Sequence, residues 1–274
     1  MIGKILGSGQ LGKLATFVSP AFFDVMPARA LFRRGKTLLA DTRDTHKIRE
    51  LVSERARTLA SSMPALRISL PLHVDRPPPS VSGRDRSVDA WRASQVAQLY
   101  FRQLFLDTPN GSPAETLLDL RASSFTSDGT QLVWSPAPWI ASWSPEFLCP
   151  LRDIYRGFYQ HDDALFRHGL TELRLEHSED LFREQFGAGQ DHVEFHVRAF
   201  IDVFQRVFER CKKHKTNLHP DFLPLGIYLA ALYDHLQELA IAVNVADAFA
   251  NATTGSSSTN DADPNSAEQE RHHA

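Results

Sequence analysis

Ser144-Pro145-Glu146-Phe147-Leu148-Cys149-Pro150-Leu151-Arg152-Asp153-Ile154-Tyr155-Arg156-Gly157-Phe158-Tyr159 opens the stretch whose reading decides the fold. A hydroxyl residue stands before a proline and an acid, the order in which helices begin. The serine suits the capping position, and the fixed φ of proline suits the first helical one. Helical patterns then follow one another over roughly 145–160, 162–174, 178–186, 191–215 and 220–250. Asp162 and Asp163 read as the cap of a helix starting at Ala164. Asp191 is expected to cap the next long helix, with Glu194 at the capping-box offset. Lys212, Lys213 and Lys215 fall at its end, where cations meet the negative end of the dipole.

Upstream, Ser135-Pro136-Ala137-Pro138 breaks regular structure. Before it lie β-like pieces, Leu117–Leu120 and Gln131–Trp134, with the turn signal Ser127-Asp128-Gly129 between them. A helix capped by Ser87 is expected to run to about Asp107, through Trp91, Val96, Leu99, Tyr100, Phe101, Leu104 and Phe105. Residues 65–74 alternate apolar and polar at first and predict a strand that Pro71 confines to an edge. Leu31, Leu38, Leu39, Ile48, Leu51, Val52 and Leu59 mark one helical face between Ala28 and Ser61. Pro20 and Pro27 interrupt whatever precedes it. The expected fold is mainly α, an α+β chain with a small β element. Its regions are a basic helical N-terminal part (1–74), a Pro/Ser/Gly linker (75–86), a helical body with a β-hairpin (87–250) and a disordered polar tail (251–274).

The chain has 274 residues, with 30 Lys and Arg against 33 Asp and Glu. The near-neutral sum conceals a division. Residues 1–90 hold 15 basic and 8 acidic side chains, a balance of +7; the rest hold 15 and 25, a balance of −10. A basic N-terminal third suits an anionic membrane surface. Nucleic acid is not expected, since no zinc finger, helix-turn-helix or RNA-binding signature is present. No apolar run is long enough for a spanning helix, and no secretory leader is evident. Two cysteines, Cys149 and Cys211, cannot make a disulfide framework. The expected location is cytoplasmic, with peripheral membrane contact through residues 1–60.

Three patterns carry possible chemistry. Gly7-Ser8-Gly9-Gln10-Leu11-Gly12-Lys13 has the glycine spacing of a phosphate-binding turn. It lacks the strand before it and the Ser or Thr after the lysine, where Leu14 stands. His192-Val193-Glu194-Phe195-His196 puts two imidazoles one turn apart on the expected helix, a spacing that can chelate a metal with a third ligand from elsewhere, for example His177 or Asp180. His161-Asp162 resembles the paired ligands of helical metal-dependent phosphohydrolases, with His192, His196 and Asp234 as recruits from other helices. Two alternative functions follow. One is a metal-dependent phosphohydrolase using His161, Asp162, His192 and His196; the other is nucleotide binding through Gly7–Lys13.

The order of pieces over 94–173 resembles the C-terminal part of the UbiB/ADCK-like atypical kinase family. Ala97-Gln98-Leu99-Tyr100-Phe101-Arg102-Gln103-Leu104-Phe105 matches a helix of that family. Ser127-Asp128-Gly129 stands at a hairpin, Ser144-Pro145-Glu146-Phe147 at a helix start, and Leu151 to Asp163 follows in place. Leu218-His219-Pro220-Asp221-Phe222 is similar to a later helix entry. The resemblance implies a kinase-like C-lobe stripped of its chemistry. Leu118-Asp119-Leu120-Arg121-Ala122-Ser123-Ser124-Phe125 stands where the catalytic loop belongs, without the Asn or His that holds magnesium. Ser135-Pro136-Ala137-Pro138 replaces the Asp-Phe-Gly motif. Phosphoryl transfer needs those metal ligands. The expectation is therefore a non-catalytic, pseudokinase-like interaction or regulatory protein with no cofactor and no catalytic, cofactor-binding or metal residue assigned. Its contacts would be a protein partner or an anionic membrane, met through the basic third and the Pro/Trp segment 134–143. Trp134, Trp139 and Trp143 are nevertheless expected first to pack the hairpin onto the helices, and only alternatively to expose an aromatic patch.

Overall fold

Asp85 begins the central helix. Its carboxylate accepts from the Ser87 N–H at 2.9 Å and the Ser87 hydroxyl at 2.7 Å. Asp85, and not Ser87, is thus the cap. The computed structural model describes residues 20–41, 45–69, 85–106, 114–187 and 189–254. It is mainly helical with a small β element. The helices are α1 (Pro20–Val25), α2 (Ala28–Asp41), α3 (Thr45–Ser62), α4 (Arg86–Phe105), α5 (Pro145–Tyr159), α6 (Asp163–Glu172), α7 (Glu179–Gln185), α8 (Val197–Lys213), α9 (Phe222–Leu239) and α10 (Val245–Thr253). The strands are β1 (Leu66–Ile68), β2 (Ala114–Leu117), β3 (Phe125–Ser127), β4 (Leu132–Trp134) and β5 (Ile140–Trp143).

Helix α4 is buried on several sides, through Val96, Leu99, Tyr100, Phe101, Leu104 and Phe105. Tyr100 stacks on Tyr228 of α9 at 4.8 Å, and Phe101 and Phe105 meet Phe249 of α10 edge-on. The hydroxyls of Tyr100 and Tyr155 share a hydrogen bond of 2.5 Å, and Gln103 donates to the Tyr228 hydroxyl at 2.8 Å. The aromatic residues that mark this helix in the sequence therefore tie α4, α5, α9 and α10 into one core, with their polar tips paired.

Antiparallel pairing joins β3 to β4 around Asp128-Gly129, as the turn signal predicts. Asp128 accepts from the N–H groups of Thr130 and Gln131, each at 2.8 Å, and those bonds hold its pKa down to about 2. Gly129 sits at φ +90°, which a Cβ would disfavour. β1 joins the outer side of β4 in parallel, Leu66 opposite Leu132, giving the order β1-β4-β3 and the predicted edge position. The piece expected at Leu117–Leu120 lies earlier, as β2. It pairs antiparallel with β5, a strand that the preceding prolines hide in the sequence.

Over its described part, the N-terminal region shares the core of the body. Phe22 packs edge-on against Phe208 at 5.3 Å, and Leu218 N–H donates to the Val25 carbonyl at 2.8 Å. Residues 1–19 and 70–84 lie outside the described residues. The phosphate-loop pattern Gly7–Lys13 and most of the expected linker fall there. So do residues 255–274 of the expected tail, whose first residues instead belong to α10, which runs to Thr253.

Two long helices differ from the sequence pattern for one reason. The helix expected from Asp191 starts at Val197, and the one expected over 220–250 stops at Leu239. Val193 and Val243 exchange backbone hydrogen bonds at 2.9 and 3.0 Å, which pulls both segments out of helical conformation. Ala240 takes a left-handed φ of 52° to allow the turn. Gln237 then caps α8 from a distance, accepting the Val197 N–H at 2.8 Å.

A buried histidine locks α9 to the β element. Arg92 Nε donates to His235 Nε2 at 3.0 Å, so the ring proton sits on Nδ1 and points to the Leu120 carbonyl 2.8 Å away. Burial, reinforced by the Arg92 charge, lowers the His235 pKa from 6.5 to about 3. The folded state therefore keeps a neutral ring while the unfolded chain takes up a proton. Stability from this group is complete above pH 6.5. It falls as the pH drops, by about 1.4 kcal/mol per pH unit, until the folded pKa is reached. Urea midpoints measured from pH 7 to pH 5 should fall less steeply in His235→Gln than in the wild type. Parallel profiles would refute the assignment.

Candidate anion-binding cleft

Helix α2 lies across β5 and the start of α5 and walls a cleft of about 680 Å³. Three guanidinium groups line it, those of Arg33, Arg34 and Arg152, against one carboxylate, Asp221. Arg34 is largely buried, with Nε 2.7 Å from Asp221 Oδ1, and it also donates through Nη2 to the Ser142 carbonyl. The other Asp221 oxygen accepts from the Ser144 N–H at 3.0 Å and its hydroxyl at 2.9 Å. Ser144 therefore does not cap α5 with its side chain as its sequence position predicts. It fastens the start of α5 to the entry of α9.

His219 completes this wall. Its ring stacks on Phe147 at 5.2 Å, and its Nδ1 accepts the Asp221 N–H at 3.2 Å. Burial keeps its pKa below the ordinary imidazole value despite nearby Asp221 and Glu146, so at neutral pH the proton sits on Nε2. Arg152 donates to the carbonyls of Leu104 and Leu106 at 2.6 and 2.8 Å, and this fixes its head at the end of α4. Cys149 also lines the cleft and is exposed, whereas Cys211 is buried and its thiol is pushed up to about 12. The lining is rich in donors, and its single carboxylate is already held by Arg34 and Ser144. Such a wall suits recognition of an anion.

The outer face of α2 is different. Arg29, Phe32 and Lys36 recur at helical spacing and are all exposed. Phe32 is 73% exposed, the one large hydrophobic side chain so displayed among the described residues. A Cβ added at nearby Gly35 would meet nothing within 4 Å, so the helix has open space there.

The residues singled out by the sequence are placed otherwise. Asp119, the carboxylate of segment 118–125, has no exposed surface. Its Oδ1 accepts from Arg121 Nε at 2.7 Å; its Oδ2 accepts from the Ser124 hydroxyl at 2.5 Å and the Ala137 N–H at 2.7 Å. The carboxylate thus pins the loop 118–125 to Ser135-Pro136-Ala137-Pro138 and does not line the cleft. Trp134 and Trp143 are buried, donating to the Asp119 carbonyl and the Thr116 hydroxyl at 2.8 and 2.7 Å. The Pro/Trp segment 134–143 is therefore mostly core, as expected of its tryptophans, and does not offer the exposed contact surface also expected of it. Trp139 is only half-buried, beneath Arg121.

Asp162 caps α6, accepting from Leu165 N–H at 2.9 Å, as expected. His161 occupies the left-handed turn before it, at φ 59°. His192 and His196 do not lie one turn apart on a helix, because residues 191–196 precede α8. His196 instead lies 3.5 Å from Glu194. Among the described residues, no group of three or more His, Cys, Asp or Glu side chains is placed to hold a metal ion. No helix among them is long and apolar enough to cross a membrane. Sequence reasoning missed Arg34, Arg152, His219 and Asp221 as one cluster. The Arg33-Arg34 pair was the only local hint; the others lie more than 100 residues downstream.

No protein-family model matches the chain, and no curated protein matches it.

Proposed function

We propose that this is a non-catalytic interaction protein that docks on an anionic membrane surface through the outer face of α2. The carrying observation is Phe32, exposed between Arg29 and Lys36. An apolar ring flanked by cations matches an interface where acyl chains lie beneath acidic headgroups. The basic excess of residues 1–90 acts in the same direction. The engagement of Asp119 by Arg121, Ser124 and Ala137 supports the non-catalytic part, since that carboxylate is committed to holding two loops together. A degenerate, kinase-like framework related to the UbiB/ADCK-like family fits this reading, and so does a peripheral position on a cytoplasmic membrane face.

Flotation with vesicles tests the docking. The full chain should rise with phosphatidylserine-containing vesicles at low salt and remain behind with phosphatidylcholine alone. Each lysine or arginine near such a surface contributes about 1 kcal/mol. Arg29→Glu with Lys36→Glu should therefore cut recovery at least tenfold, about 1.4 kcal/mol. Phe32→Ser should add a further loss. Equal recovery on both vesicle types, or none on either, would overturn the proposal.

A further inference from the structure

We infer that the cleft between α2 and α5 binds a phosphomonoester. Its lining brings three guanidinium groups, Arg33, Arg34 and Arg152, against the single carboxylate of Asp221. The resulting excess of two positive charges equals the charge of a phosphomonoester dianion, which is about −1.5 to −2 at neutral pH. The same wall presents neutral His219, whose proton sits on Nε2, as a further donor. Arg34 and Arg152 each commit Nε and Nη2 to protein acceptors and bring Nη1 and their charge. A planar fork such as that of exposed Arg33 matches phosphate oxygens in pairs. Two further acids act on this wall without lining the cleft: Glu115 accepts from the Ser142 hydroxyl at 3.0 Å, and the Glu146 charge is felt by His219. The volume, about 680 Å³, exceeds what phosphate alone fills and leaves room for the group that carries it.

The inference deepens the membrane reading and rests on it for one of two sources of the ligand. Arg33 of the lining stands one turn from Arg29 of the proposed docking face, and residues so spaced are neighbours on a helix surface. A lipid headgroup ending in a phosphomonoester reaches it from the membrane, while a soluble sugar or glycerol phosphate reaches it from solution. The chemistry recognised is the same.

Cys149 provides a local probe, being the exposed one of the two cysteines and part of the lining. Alkylation of the full-length protein by a maleimide should slow as glycerol 3-phosphate is added. Equal ionic strength from sodium sulfate should slow it far less. Arg33→Glu changes an exposed side chain and leaves the Arg34–Asp221 pair intact, so the variant folds. It should weaken protection at least about tenfold, the loss of one charge-assisted contact. Arg33→Lys should retain part of the protection. No protection by glycerol 3-phosphate, equal protection by sulfate, or an unchanged Arg33→Glu would overturn the inference.

Vesicles separate the two sources and the two proposals. Phosphatidic acid should recover more protein than charge-matched phosphatidylserine if the ligand is a lipid headgroup. Equal recovery with retained protection by glycerol 3-phosphate identifies a soluble ligand and leaves the cleft assignment standing. Binding to both vesicle types without any protection of Cys149 refutes the cleft while sparing the docking face. Protection without vesicle binding does the reverse.

Discussion

Asp119→Ala is expected to lower the free energy of unfolding by about 3 kcal/mol, the cost of leaving a part-buried guanidinium and two further donors without their acceptor. The carboxylate is fully buried and gathers donors from three residues. Removal strands the Arg121 guanidinium, the Ser124 hydroxyl and the Ala137 N–H at once. Asp119→Asn should recover little, because its amide would turn an N–H toward a site where every neighbour also donates. Urea unfolding of the purified variants measures both. A loss under about 1 kcal/mol for Asp119→Ala would mean that water satisfies those donors and that the loop is not held by this side chain. Vesicle recovery of the folded fraction should be unchanged, since Asp119 is fully buried and presents nothing to a membrane surface.

The second large effect concerns the contact of α5 with α6. A Cβ on Gly169 would lie 2.6 Å from the Pro150 carbonyl oxygen and 2.9 Å from the Ile154 backbone nitrogen. Gly157 is equally confined, facing the backbone of Phe166 and Asp162. Two glycines on opposite helices let the backbones approach more closely than any other residue permits. Because the obstacles are main-chain atoms, no rotamer relieves them and the helices must separate. Gly169→Ala should cost about 3 kcal/mol or more, at the upper end of overpacking effects. Gly35→Ala in α2 is the control. Nothing lies within 4 Å of its Cβ position, so it should gain about 0.5–1 kcal/mol from helix propensity. Equal urea midpoints for Gly169→Ala and the wild type would show that α5 and α6 have room between them.

Much of the helical frame was legible because its signals are local. Ser144-Pro145-Glu146 marks a helix start even though the serine is used elsewhere, and Asp128-Gly129 marks the hairpin through bonds within four residues. Errors arose where distant pairing overrode pattern. Nothing near Ala240 announces a helix end, for alanine is the best helix former. The bridge between Val193 and Val243, fifty residues apart, imposes it. The same bridge separates His192 and His196 from the helix that would have aligned them. β5 follows two prolines and reads as loop until β2 is seen to need a partner. The cleft was illegible for a related reason: its parts come from α2, α5 and the segment before α9, and no spacing in the chain brings Arg34 to Asp221.

The parallel seating of Leu66–Ile68 on β4 has a further meaning. β4 is the middle strand of three, and its outer side is covered by a segment from far upstream. Were that segment withdrawn, the N–H and C=O groups of β4 would form an open ladder on which another chain could add. The covering strand is itself a poor template, only three residues long with exposed Arg67 bonded to Gln131 at 3.0 Å. Three residues from the N-terminal region thus keep the ladder of β4 from being an edge of the sheet.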